Sequence, residues 1–593
     1  MSAPVARIPG GIPASARGAD RAFYELADRY LDDCFHADPI QATIAGDHRF
    51  DGHLDDLSPE AIRRRIERAR GCRDEMGAID PATLSIAARI DRDLLLNDAE
   101  STIFAFSDLR PQERDPQFYV DRLGNALLYL TLDDQGSSAW PDRLRGLLGR
   151  LRAIPGFLDE ARRALGLPPA VVTAMVARTN AGNLDLVENG LPPLYERAPA
   201  LRAGLRRAGD DAAAALRSFQ AFIEEELRDR SAGDWRLGAD LWSRKLRLTL
   251  QSDLTPETIL RRATTMLGRV RERMLETALS LHDRLHPGHR HAERGDALID
   301  AVVGEVLADV TRHHSTPEGL FTDTRAAVDK VKRFIRDTGF IGLPPESDNF
   351  VIEPTPGFLD GTAVAFFNPP PTLEPGLKKS FWISSVPRGG SPEADRALKE
   401  SFLREYNRYA LECLTIHEAF PGHYVQYWYA LGSPIATLYK KIFASGTFAE
   451  GWAVLIETLM FEAGYGAGDP ATRLIHLKQL LRVPINALLD ARLHTTPMTD
   501  DEADRWALDL MTRKGFQEEA EARGKLRRAK VGATQLSTYF VGYLELSDLL
   551  NDCRAAGGAR FDRRAWCEKL LACGTIPPRD ARRLMLPDGD LKD

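Results

Sequence analysis

The sequence predicts a mostly α-helical protein with one small β-sheet placed just ahead of a helix that carries a histidine–glutamate motif. Three observations predict it. Apolar residues recur at three- and four-residue intervals along most of the 593 residues. One segment, 346–392, breaks that pattern with short β-rich runs between prolines and glycines. Helical spacing then resumes directly behind it and delivers the stretch HEAFPGH at 417–423.

Composition narrows the classes of function. The chain is 44% hydrophobic and 28% charged, with a net charge of −8. So mild an acidity speaks against a phosphate-binding surface, and hence against a nucleic-acid partner. Basic runs such as RLRGLLGRLR alternate arginine with leucine at helical spacing, as solvated helix faces do. No apolar run approaches the roughly 18 to 20 residues a membrane helix needs, so no membrane association is expected. Residues 1–20 contain neither an apolar export core nor a lipoprotein-type cysteine and read as a flexible lead-in. The six cysteines (Cys34, Cys72, Cys413, Cys553, Cys567, Cys573) are scattered without C-x-x-C pairs. That pattern suggests reduced thiols and a cytoplasmic location.

Residues 21–345 read as a helical N-terminal part. RAFYELADRYLDDCF sets Phe23, Leu26, Tyr30 and Leu31 on one stripe. Ser58-Pro59-Glu60 and Thr255-Pro256-Glu257 have the form of helix starts: a capping hydroxyl, a proline in the first turn, then an acid facing the helix dipole. HDRLHPGHRH holds His282, His286, His289 and His291 and reads as a polar loop between helices, open to adventitious metal. Segment 346–392 supplies NFVIEP, GTAVAFFNPPP and KSFWISSVP, three short strands. Residues 393–593 return to helix and carry HEAFPGH, the whole forming one large integrated domain. A sheet edge beside a His-Glu helix suits a peptidase, because a substrate backbone can pair with the strand.

HEAFPGH has two residues more between its histidines than the zinc-protease signature H-E-x-x-H. On a regular helix, positions i and i+6 lie about 120° apart. Pro421 lacks the amide that would bond the carbonyl of His417, and Gly422 allows backbone angles that other residues resist. The helix is therefore expected to kink or loop out, which could bring His423 back toward His417. Taken alone, the pair is either a metal site or two half-buried histidines beside a proline kink. Glu418 is placed to act as a general base, as in H-E-x-x-H enzymes. A third ligand is sought on the next helix, where GTFAEGWAVLIETLM offers Glu450, 27 residues beyond His423. Glu450 is equally an ordinary helix-start acid. Glu457, on the same predicted helix, stands about 10 Å further along its axis, too far to share one ion directly.

HEAFPGHYVQ resembles the H-E-x-x-P-G-H-x-x-Q hallmark of domain-of-unknown-function family 885, zincin-like bacterial proteins. In the same order, PIQATIAGDHRFDGHLDDLSPEA, AVAFFNPPP, FAEGWAVLIE, DARLH, QLSTYFVGYLEL and KLLACGTIPPRDARRLML resemble that family, so the likeness runs over nearly the whole chain. More distantly, the order His-Glu, His, Glu, late Tyr is similar to angiotensin-converting enzyme and the helical carboxypeptidases. The resemblance implies a gluzincin-like, two-lobed helical fold around a deep groove. It implies one zinc per chain on His417, His423 and Glu450, with Glu418 as base. Tyr539, in a Gln-x-x-x-Tyr-x-x-Gly pattern, is then the candidate oxyanion donor. Where relatives often carry Pro-Gly before that glutamine, this chain has GAT, and it lacks the export signal that many of them have.

Four further residues are candidate substrate contacts: Phe366 and Phe367 in AVAFFNPPP, and Arg492 and His494 in DARLH. His494 with Asp490 either forms an Asp–His pair on the substrate side or takes a helix-capping or core role. Arg492 either receives a peptide carboxylate or is simply solvated. The leading expectation is a zinc metallopeptidase cleaving short peptides or peptide-like small molecules. The alternatives are a tailoring amidase for a specialised metabolite or modified peptide, using the same residues, and a catalytically silent peptide-binding protein.

Overall fold

The computed structural model describes residues 11–132, 138–355, 365–387 and 390–586. The first ten residues of the expected lead-in, and 356–364 and 388–389 of the expected β segment, lie outside the described residues. The fold is mostly α, with a single three-stranded sheet among the described residues. None of the described helices is long and apolar enough to cross a membrane.

The chain divides into two compact units. The first comprises residues 1–235 and two later returns of the chain, 370–378 and 437–444. Its helices begin at Gly18, and the stripe read from the sequence buries Phe23, Tyr30 and Leu31. Ser58 caps the helix Pro59–Gly77 by accepting from the Ala61 amide at 3.3 Å. The returning segment 437–444 is tied in through a buried carboxylate. Asp91 accepts from Tyr24 at 2.8 Å, from Thr437 at 2.9 Å and from the Lys440 ammonium at 2.8 Å. A buried charge so fully partnered avoids most of its desolvation cost.

The second unit comprises 236–369, 379–436 and 445–593. Its centre is the helix Pro470–Thr495, buried on nearly every side and packed against Pro256–Leu285 and Ser537–Gly557. The helix Pro256–Leu285 starts as the sequence predicts, with Thr255 accepting from the Thr258 amide at 3.2 Å. The sheet has strands β1 (Phe350–Pro354), β2 (Ala365–Asn368) and β3 (Lys379–Ile383) in the order β1-β3-β2. β3 is parallel to β1 and antiparallel to β2, so β2 is an edge. Phe350 stacks on Tyr424 with centroids 4.5 Å apart, and Tyr424 donates to Asp348 at 2.8 Å, which fixes the sheet against the His423 helix.

Candidate metal centre

HEAFPGH does not kink one helix; it separates two. The helix Arg408–Glu418, capped by Asn407, ends directly behind its histidine–glutamate pair, and His423 begins the next, His423–Leu431. Pro421 cannot donate to the His417 carbonyl, and the space beside that carbonyl is taken by Gly422 instead. A Cβ built on Gly422 would lie 1.7 Å from the His417 oxygen and 2.4 Å from that of Ile416. The sequence reading gave Gly422 unusual backbone angles. Its φ is −74°, outside the left-handed region, but its ψ of −133° falls in neither the helical nor the extended range, so it supplies both those angles and room for close approach. The carbonyl of Pro421, stranded by the break, accepts from the Trp452 indole at 3.1 Å. Trp452 thus belongs to the core and also ties the break to the Glu450 helix.

With the chain folded back, the two imidazoles stand at 88° to one another with centroids 5.0 Å apart. Their Nε2 atoms face one oxygen. Glu450 Oε2, on the helix Gly446–Glu462, lies 3.5 Å from His417 Nε2 and 3.6 Å from His423 Nε2. The three donor atoms fall within 4.8 Å of one another. The other ring nitrogens are engaged elsewhere: His417 Nδ1 meets Glu457 Oε1 at 2.7 Å, and His423 Nδ1 makes a long 3.5 Å contact with Gln426 Oε1. Gln426 is held in turn by its amide donating to Thr575 at 3.2 Å. A carboxylate on the far nitrogen of a ligating histidine is the usual outer support of a metal site.

Glu418 follows His417 but turns aside from the donor centre. Its Oε2 accepts the backbone N–H of Phe367 on the outer edge of β2 at 3.0 Å, and its Oε1 lies 4.0 Å from His417 Nε2. Burial pushes its pKa above the ordinary carboxylate value, with Glu450 adding to the effect and the two imidazoles opposing it. Burial works against the charge on His417 and His423, but the facing carboxylates, Glu450 first, outweigh it and raise both. Burial would raise the pKa of half-buried Glu450 too, yet the imidazoles hold it well below the usual range.

These residues fit a divalent metal on three grounds. Glu450 Oε2 is buried and accepts no hydrogen bond, although an oxygen so placed ordinarily finds a partner. Three carboxylates around two imidazoles leave a negative excess that two protons or one dication offsets. Finally, bonds of 2.0–2.1 Å in a tetrahedron put neighbouring donors about 3.3 Å apart, close to the 3.5 and 3.6 Å found here.

Tyr539 comes to this cluster on the helix Ser537–Gly557. The charge of Glu450 is the chief cause raising the Tyr539 pKa, with burial adding to it. Two glycines set the approach: a Cβ on Gly451 would lie 2.4 Å from the Gly542 carbonyl carbon, and one on Gly542 would lie 2.0 Å from the Thr447 oxygen. The Tyr539 helix has no side-chain cap of its own. Asp490, buried on the central helix, accepts from the Thr534 amide at 2.8 Å, the Ser537 amide at 3.1 Å, the Ser537 hydroxyl at 2.5 Å and the Trp242 indole at 3.0 Å. It therefore also shapes the GAT turn, where Thr534 takes a φ of 71°, uncommon for a β-branched residue.

The remaining candidates are placed as follows. His494 is buried and its Nε2 donates to the Ala529 carbonyl at 2.8 Å. Arg492 is exposed and lies over the Trp506 ring, 4.5 Å from its centroid. The Phe367 ring packs 5.7 Å from both Tyr424 and Tyr427, and Phe366 meets Trp382 edge-on at 5.3 Å. Sequence reasoning did not find the Phe367 amide, because a main-chain donor leaves no mark in residue type. It allowed Asp490 a helix-capping role but could not name the helix, which starts 47 residues away at Ser537.

Comparison with known proteins agrees with this architecture. Residues 39–585 match the profile of a family described as bacterial protein of unknown function, DUF885. No curated protein matches the chain significantly. Among solved structures, the chain is similar to one from Shewanella oneidensis described as "a putative lipoprotein of unknown function". The match has a TM-score of 0.80 and 25% identity and covers 96% of this chain and 100% of the other. A second, described as "the putative lipoprotein from Colwellia psychrerythraea", matches in fold with a TM-score of 0.75 and 16% identity, covering 96% of this chain and 99% of the other.

Proposed function

The chain belongs to the DUF885 family, and from that premise and the geometry of its donor cluster we propose that it is a zinc-dependent hydrolase of amide bonds, acting on short peptides. The observation that carries this reading is Glu450 Oε2, a buried oxygen without a hydrogen-bond donor that faces two imidazole nitrogens. His417 Nε2, His423 Nε2 and Glu450 Oε2 would hold the ion, in a gluzincin-type order along the chain. Zinc held by three such ligands supplies Lewis acidity and makes water a nucleophile at neutral pH.

The chain's own residues then divide the work. Glu418 is anchored at Oε2 by Phe367, which leaves Oε1 to take a proton from the attacking water and return it to the leaving amine. Its raised pKa suits both transfers. The Tyr539 hydroxyl donates to the carbonyl oxygen as that atom gains charge, and its own raised pKa keeps the proton in place. Glu457 fixes the ring of His417 with Nε2 toward the centre. The six cysteines, all free, support a reducing compartment.

The test pairs two substitutions in a peptide-library digest read by mass spectrometry, with zinc content measured on the same samples. Glu418→Gln is expected to keep zinc and lose at least about a thousandfold in rate. Glu450→Ala is expected to lose zinc and activity together. Hydrolysis that survives both substitutions refutes the assignment.

A further inference from the structure

A second convergence of donors lies in the same unit, away from HEAFPGH. His282 stands buried in the last turn of Pro256–Leu285, and Glu305 on the helix Asp296–Val310. His289 and His291 come from the connection between them, which the sequence reads as a polar loop. The connection folds back through Gly288, whose φ is 84°. Glu305 Oε2 lies 3.2 Å from His282 Nε2, 3.2 Å from His289 Nδ1 and 3.3 Å from His291 Nε2. His282 Nε2 and His291 Nε2 are themselves 3.2 Å apart.

Hydrogen bonding does not account for this arrangement. One carboxylate oxygen offers about two lone pairs, and here three ring nitrogens address it. Two of those nitrogens also face each other, so at most one of that pair can point a proton along the line between them. By contrast, four donors bonded at 2.0–2.1 Å to a central ion stand about 3.3 Å apart in a tetrahedron. All four separations given above are 3.2 or 3.3 Å.

We propose that His282, His289, His291 and Glu305 form a second binding site for a divalent ion of the zinc class. With four protein ligands the site is closed, as structural sites are, and it clamps the connection onto the two helices it joins. An outer carboxylate supports it: His291 Nδ1 lies 3.5 Å from Glu293. Nothing in this site depends on the hydrolase reading.

The experiment is a zinc titration of the full chain stripped by chelator, in four forms: wild type, Glu450→Ala, His289→Ala/His291→Ala, and all three substitutions together. Two equivalents are expected in wild type, one in each partial variant and none in the triple variant. Zinc is also expected to raise the melting temperature of Glu450→Ala and to leave that of the triple variant unchanged. His289 is exposed but the His291 side chain is largely buried, so Glu305→Gln serves as a second variant that keeps the shape of the site. Zinc binding by the triple variant equal to that of Glu450→Ala overturns the proposal. So does an affinity weaker than about 10 μM, the mark of adventitious surface binding. If wild type binds one equivalent that only His289→Ala/His291→Ala removes, this site stands and the zinc site at His417 fails.

Discussion

Replacing Gly422 by alanine adds one methyl group, and the structure says where it goes. The new carbon would lie 1.7 Å from the His417 carbonyl oxygen, while carbon and oxygen seldom approach closer than about 3 Å. A gap short by at least about 1.3 Å has to open in backbone that carries both histidines. Neither neighbour is the loose end of a side chain, because the obstruction is main chain of Ile416 and His417. Metal–ligand bonds tolerate about 0.2 Å of error, so displacing one imidazole by an ångström removes it as a ligand. Reducing three ligands to two is expected to weaken zinc binding by at least a hundredfold, about 3 kcal/mol. Competition with a fluorescent chelator measures the affinity, and circular dichroism with a thermal melt shows whether the fold survives. Gly422→Ala that folds and binds zinc within threefold of wild type refutes the claim that this glycine sets the site.

Three other outcomes are expected. Tyr539→Phe should lower kcat by about two to three orders of magnitude with KM little changed; a change confined to KM makes Tyr539 a substrate-positioning residue. Glu457→Gln keeps the shape beside His417 but loses the charge, and zinc affinity should fall about 10- to 100-fold, read by the same chelator competition. Glu405 is buried, and although burial alone would raise its pKa, Lys478 and Arg482 bring it down to about 2. Its folded value is depressed, so its contribution, about 3 kcal/mol, is present above pH 4.5 and is lost as pH falls toward 2. Urea melts across that range should show wild type losing its advantage over Glu405→Gln, and a difference that stays constant with pH removes Glu405 from the account.

The helices were legible because their signals are local. Ser58 and Thr255 cap the helices they precede, and three of the four residues of the stripe at Phe23 are buried. The sheet was legible from its prolines and β-rich runs, though not its order, since β1 and β3 pair in parallel across the intervening β2. At the site, residue type and spacing pointed to His417, Glu418, His423 and Glu450, and the family resemblance chose among the roles open to Glu450. What spacing could not give was the means of assembly. Of the two readings open to Asp490 and His494, the helix-capping and core one holds, but not with partners that spacing names: Asp490 spends its oxygens on Trp242, Thr534 and Ser537, and His494 bonds a carbonyl. Glu305 escaped notice altogether, because an acid on an amphipathic helix looks like any solvated acid until His282, His289 and His291 are folded beside it.

Where Gly451 meets Gly542, main chain rests on main chain with no side chain between. Such a contact acts as a fulcrum. Rocking of either helix moves its far ends most and the points nearest the pivot least, and Glu450 and Tyr539 both stand close to it, one residue and one turn away. The spacing of the two helices at that point is therefore set by the thickness of the backbone and not by the size of a side chain. A single methyl at the pivot would wedge the two helices apart.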